Sequence, residues 1–140
     1  MPATERLSPG AIKLLQEKEI ANLATVMADG SPQVTPVWID VEPDGNHILV
    51  NTAQGRIKTR NTARDPRVAL TVVDSQDPYR TVVVRGTIVE RRGPDQGADE
   101  HINRMAKKYL DKDLYPFRRS GEERVILRIK PHHVLEQGVE

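Results

Sequence analysis

Residues 20–52 read IANLATVMADGSPQVTPVWIDVEPDGNHILVNT, three apolar runs parted by two Asp-Gly pairs. The first run, Ile20 to Met27, has no helical stripe and stops at Ala28-Asp29-Gly30-Ser31 before the chain resumes at Pro32. Asp-Gly between apolar runs signals a hairpin, because its turn needs residues that tolerate positive φ. Pro43-Asp44-Gly45-Asn46 repeats the punctuation and leads into HILVNT. Residues 20–52 are therefore expected to form a three-stranded meander whose register is set twice. Asp29 and Asp44 are thereby turn residues rather than a pair of catalytic acids.

On the N-terminal side, Ser8-Pro9 before AIKLLQEK predicts a short helix, with Ser as cap and Pro at the first helical position. On the C-terminal side, a helix is expected from about Arg56 to Arg64, stopped at Asp65 because a residue before proline avoids helical geometry. VALTVVD (68–74) and TVVVRGTIVE (81–90) read as strands flanking SQDPYR, and Gly86 inside the second predicts a bulge or a close backbone approach. Ile102, Met105, Ala106, Tyr109 and Leu110 recur at helical spacing within 95–110 and are read as packing residues. RVILRIKP (124–131) is a sixth strand, followed by a polar tail. Short helices between strands cannot serve as parallel crossovers, so the expectation is a mainly β protein: one domain over residues 1–140, a six-stranded antiparallel barrel.

Composition narrows the chemistry. With 140 residues and no cysteine, the chain has no disulfide framework, thiolate metal site or cysteine nucleophile. No apolar run approaches the ~18 residues of a membrane span, and the start MPATERLSPG has no basic segment followed by an apolar stretch. A cytoplasmic protein without membrane contact is expected. A formal charge of +1 does not suit a dedicated nucleic-acid binder. Charge is concentrated locally, however: QGRIKTRNTARDPR (54–67) carries Arg56, Lys58, Arg60, Arg64 and Arg67 against Asp65 alone. Arg56 and Lys58 enter at a helix start, where free amides add to side-chain charge, so an anion such as phosphate is expected there. Arg64 and Arg67 are read as structural, pairing Asp65 or nearby acids. His132-His133 is not read as a metal site, because adjacent side chains in extended chain point opposite ways.

LATV followed by DG-x-PQVTPVW, the strand ending in NT, the K-x-R-N-x-x-x-D-P-R stretch and the VVVRG-x-I strand together resemble the pyridoxamine 5'-phosphate oxidase-like flavin/deazaflavin split-barrel proteins, and most closely their coenzyme F420-dependent branch. The resemblance implies an FMN-binding split-barrel-like fold and a homodimer with cofactor sites between subunits. Carried over residue by residue, it places phosphate-contacting positions on Arg56, Lys58 and Arg60, with Thr59 and Asn61 nearby. It sets the cofactor ring against Gln33, Thr35, Pro36, Val37, Trp38, Asn51 and Thr52. Family members that oxidise pyridoxamine phosphate carry a longer, basic C-terminal segment, whereas this sequence runs to HHVLEQGVE, so that reaction is not expected.

The residues themselves agree with this in part. Pro36 cannot donate a ladder bond and predicts an edge or bulge with free backbone groups. Trp38, the single tryptophan, either walls a tricyclic ring or fills the barrel, and Tyr79 either reaches a ligand or makes a dimer contact. Five basic residues over fourteen positions suit the phosphodiester and glutamyl tail of F420 better than one FMN phosphate. The first functional reading is an oxidoreductase passing hydride between deazaflavin and a small organic acceptor. The alternatives are an FMN oxidase or flavin reductase of the same fold, and a cofactor carrier without enzymatic activity. No catalytic side chain is assigned.

Overall fold

The computed structural model describes residues 4–139. Helix α1 (Pro9–Gln16) starts as expected, with Ser8 Oγ accepting the Ala11 N–H at 3.1 Å, and buries Ala11, Leu14 and Leu15. Strands β1 (Ile20–Val26), β2 (Pro32–Trp38), β3 (Asp40–Val41), β4 (Ile48–Ala53), β5 (Arg67–Asp74), β6 (Asp77–Arg92) and β7 (Arg124–Gln137) form one antiparallel sheet, ordered β2-β1-β5-β6-β7-β4-β3. Helix α2 (Ile57–Arg64) links β4 to β5, and α3 (Ala98–Leu110) links β6 to β7 after a single 3-10 turn.

Seven strands stand where six were expected, because the run Pro32–Val41 breaks at Ile39 into β2 and β3. The two pieces lie at opposite edges of the sheet although one residue separates them. The sheet must therefore curl until its edges meet at this corner, which makes the split barrel. The expected three-stranded meander is corrected accordingly: β1 pairs β2 and β3 pairs β4, but β2 and β4 share no ladder. What holds the corner comes from α3. The Ile39 N–H donates to Tyr109 Oη at 3.0 Å, and the Ile39 carbonyl accepts from Lys108 Nζ at 2.7 Å. Ile39 itself is fully buried, so its backbone groups need such partners once they leave the ladder.

The expected polar tail is also a strand: β7 continues through Gln137 against β6, with Val134 inward and Leu135 outward. Gly86 meets both parts of its expectation. The register slips between Arg85 and Gly86, and a Cβ on Gly86 would lie 2.3 Å from the Lys130 carbonyl oxygen. The inner face of the barrel packs Leu23, Val50, Leu70, Val72, Val82, Leu127 and Ile129 against Leu14 and Leu15 of α1. On the outer face, the registers align Ala24, Val34, Ala69, Thr71, Val83 and Leu135 across β2, β1, β5, β6 and β7. Val34, Val73, Val83 and Leu135 are all exposed there. Among the described residues no helix is long and apolar enough to cross a membrane.

Candidate functional site

The strongest anion-binding geometry lies where β2, β4, α2 and the start of β7 converge. A cavity of about 370 Å³ is lined there by the expected Pro36, Val37, Trp38, Asn51, Thr52, Arg56 and Lys58. Ile20, Ile102, Tyr115, Phe117 and Arg124 complete it. Gln33 and Thr35 do not reach this cavity. They line an adjoining hollow of about 340 Å³ whose other wall is Gly55–Lys58, so Arg56 and Lys58 serve both spaces. Pro36 sits in an edge strand, as its missing N–H predicts.

Thr59, Arg60 and Asn61 are placed differently from their sequence expectation. Thr59 is buried, its Oγ1 donating to the Ala53 carbonyl at 2.7 Å. Asn61 is buried too, with Nδ2 donating to Thr25 Oγ1 at 3.0 Å. Both hold α2 against the barrel. Arg60 is exposed and lines neither hollow. Arg64 is committed to the Val26 carbonyl and Asn61 Oδ1, and Arg67 to Asp65. Tyr79 is exposed at the β5–β6 hairpin, away from the cavity lining.

One end of the cavity is strongly cationic. Arg124 is 3% exposed and Lys58 is half-buried. The single carboxylate nearby, Glu122, stands 3.1 Å from both an Arg56 and an Arg124 terminal nitrogen. The Arg124 Nη1 contact is within ion-pair reach but off the line of a hydrogen bond, so this buried nitrogen has no acceptor. Lys58 has no carboxylate partner among the described residues. Burial, reinforced by the charges of Arg56 and Arg124, holds its ammonium below the usual lysine range. Glu122 Oε2, like Arg124 Nη1, is buried without a hydrogen-bond partner, so it is the count of three cations against one anion that leaves the site short of negative charge. No side chain caps α2, which leaves its first amides free at the same place.

The other end is aromatic. Trp38 stacks on Tyr109 with centroids 5.0 Å apart and planes 5° apart, while Tyr115 meets Trp38 edge-on at 5.9 Å. Phe117 meets Tyr115 edge-on at 5.8 Å. Only five aromatic residues exist in the chain, and four gather here. Trp38 does not fill the barrel: one face packs on Tyr109 of α3, outside the barrel core, while the side chain lines the cavity. Arg124 places its guanidinium carbon 5.0 Å from the Tyr115 ring, joining the cationic and aromatic ends. Such a cavity accepts a flat ring at one end and an anionic chain at the other. The residues fit a phosphate-bearing heterocycle, because Lys58 and the Arg124 nitrogen that makes no hydrogen bond supply the donors that a phosphate requires.

The sequence reading missed Arg124, Tyr115 and Phe117. Arg124 was legible only as a strand's first residue, and 111–123 has no periodicity to assign it to an element. A Tyr-x-Phe pair followed by Arg-Arg in an aromatic-poor chain was the available signal.

Known proteins bear on this geometry. The chain is 29% identical over 132 residues to an F420H(2)-dependent biliverdin reductase of Mycobacterium tuberculosis, covering 94% of this chain and 89% of that protein. A solved F420 reductase superposes with a TM-score of 0.79 at 29% identity, covering 92% of this chain and 98% of the other. A protein of unknown function from Agrobacterium tumefaciens, Atu2129, shares the fold with a TM-score of 0.69 at 23% identity, covering 98% of this chain and 62% of its own. The family model described as pyridoxamine 5'-phosphate oxidase matches residues 9–138, from the first turn of α1 to the end of β7. A curled sheet with its cationic and aromatic cavity at the β2–β4 corner is thus built on the whole of that match, and the chain belongs to the pyridoxamine 5'-phosphate oxidase family.

Proposed function

We propose that the protein is a coenzyme F420-dependent oxidoreductase acting as a homodimer. The observation that carries this is the buried Arg124, one nitrogen of which makes no hydrogen bond, beside Lys58, which has no carboxylate partner among the described residues, at one end of an aromatic-walled cavity. Two relatives of known cofactor, the biliverdin reductase and the F420 reductase, support the choice of deazaflavin. The reduced deazaflavin, when bound, supplies a hydride from its ring C5 to an electron-poor double bond of a small organic acceptor.

This chain's residues bind, orient and shield. Lys58, Arg56 and Arg124 hold the phosphodiester, and the adjoining hollow with Gln33 and Thr35 receives the glutamyl tail. Trp38, Tyr115 and Pro36 wall the ring, and Ile20, Ile102 and Phe117 keep water from it. Thr59 and Asn61 act at one remove, fixing the helix that carries Lys58. Ile20, Pro36 and Trp38 belong to the outer face of β1 and β2, continuous with the exposed Val34, Val83 and Leu135. A second copy packed on that face would cover these valines and close the cavity's open side.

The test is a titration of the purified protein with F420 and with FMN, following the emission of Trp38. Deazaflavin is expected to bind more tightly, and a tighter FMN complex would overturn the assignment. Reoxidation of bound F420H2 by biliverdin, the relative's substrate, is the first turnover assay, and binding without turnover on any acceptor would indicate a carrier.

A further inference from the structure

A buried histidine lies behind the cavity, outside its lining. His101, on α3, is fully buried, with Nε2 2.9 Å from Asp40 Oδ2 and Nδ1 3.1 Å from Asn51 Nδ2. Asn51 Nδ2 also donates to the Ala98 carbonyl at 2.9 Å, and Asn51 Oδ1 accepts from Arg124 Nε at 2.9 Å. Four elements, β3, α3, β4 and β7, are threaded by this one line of hydrogen bonds.

The donor count fixes every role. Asn51 has two amide hydrogens, one spent on Ala98 and the other directed at His101, so Nδ1 must accept it with a lone pair. The imidazole proton then sits on Nε2 and is given to Asp40, whose carboxylate holds it there. Burial raises the Asp40 carboxyl, but hydrogen bonds from His101 and the Val41 N–H and the nearby Lys108 charge leave it below the usual range. A flipped Asn51 would set its amide hydrogens against the Arg124 Nε–H and its oxygen against both the Ala98 carbonyl and the Nδ1 lone pair. His101, held in one tautomer by Asp40, thus adds to Ala98 in favouring one amide orientation, and that orientation presents the acceptor that aligns Arg124. A histidine serving only to fill the core has no need of a partner that ends on a cavity cation.

We infer that His101 is a positioning residue: held by Asp40, it locks Asn51 so that the Arg124 guanidinium faces the anionic group of the ligand. This rests on the F420 reading above. The experiment measures the Kd of oxidised F420 by Trp38 quenching in the full-length protein and in His101→Leu, His101→Asn, Arg124→Leu and His101→Leu/Arg124→Leu. His101→Leu is expected to weaken binding about tenfold, a fraction of a lost charge-assisted contact. His101→Asn, whose Oδ1 takes the place of Nδ1, should stay within about twofold. With Arg124 already replaced by Leu, removing His101 should change Kd less than about twofold, because coupled residues are non-additive.

An equal loss in both backgrounds, or His101→Asn as harmful as His101→Leu, overturns the role. Absence of F420 binding by the unaltered protein would overturn the proposed function and this role with it, whereas binding insensitive to His101 overturns only the role. If His101→Leu does not fold, 15N NMR of the unaltered protein decides: a protonated Nδ1 on His101 refutes the proposal, and an unprotonated one coupled to the Asn51 amide supports it.

Discussion

Replacing Lys58 with alanine tests the cationic end of the cavity most directly. At about 4 Å and an effective dielectric near 20, an ammonium and a phosphate charge attract by about 4 kcal/mol. Two costs reduce the net: the lysine chain is ordered on binding, and the free site already carries repulsion from Arg56 and Arg124. A net loss of about 1.5–3 kcal/mol remains, roughly 10- to 150-fold in Kd. The same repulsion means that removing Lys58 relieves the empty protein, so its Tm should stay level or rise. The pH dependence adds a second signature. Burial and two neighbouring cations hold the free ammonium below the usual lysine range, whereas a bound anion favours its charged form and raises it. Affinity should therefore fall as pH rises through the free-state value, at up to tenfold per unit, and level off above the bound-state value. A guanidinium does not lose its charge in this range, so the limb belongs to the lysine. Trp38 quenching with F420 across pH measures both effects. An unchanged Kd in Lys58→Ala, or a variant that keeps the alkaline limb, would remove Lys58 from the site.

Other perturbations reach the fold that carries the cavity. Gly86→Ala puts a methyl 2.3 Å from the Lys130 carbonyl oxygen, a backbone atom that cannot move aside, and should cost about 3 kcal/mol and lower Tm by roughly 10 °C in a thermal melt. The α3 clasp on Ile39 predicts an alkaline stability optimum. Burial lowers Lys108 from 10.5 to about 8, so above that value the unfolded chain binds the extra proton and stability rises with pH. Burial raises Tyr109 from 10.0 to about 12, so the unfolded tyrosine ionises first and stability falls between these values. Urea midpoints across pH 7–12 read both limbs, and Lys108→Met should shrink the rising one, leaving the part that Lys58 contributes, with the falling one intact. Val83→Arg, on the exposed outer face opposite Leu135, should shift the proposed dimer to a monomer in sedimentation with an unchanged circular dichroism spectrum.

Most of the local structure was legible in the sequence, because local rules suffice for it. Asp29 and Asp44 accept from the N–H two residues on, as their turns require. Ser8 caps α1, and α2 ends at Arg64 before Asp65-Pro66. Arg56 and Lys58 were visible as a cation cluster and do line the cavity. The barrel corner was not visible. Nothing between Pro32 and Val41 marks Ile39 as a break, because its backbone partners, Lys108 and Tyr109, lie some seventy residues downstream.

The sequence by itself determined where most strands and their turns lie and the charge excess of residues 54–67, since each follows from side-chain pattern over a few neighbours. Only the tertiary structure decided which of those charges act together. It turned Thr59 and Asn61 inward as supports and left Arg60 exposed. In place of Arg60 it delivered Arg124 from the far end of the chain, with Tyr115 and Phe117 beside it. The physical reason is that β7 pairs with β4, which sets Arg124 opposite Ala53 across the ladder. Such a meeting depends on strand order around a curled sheet, and local pattern carries no record of it.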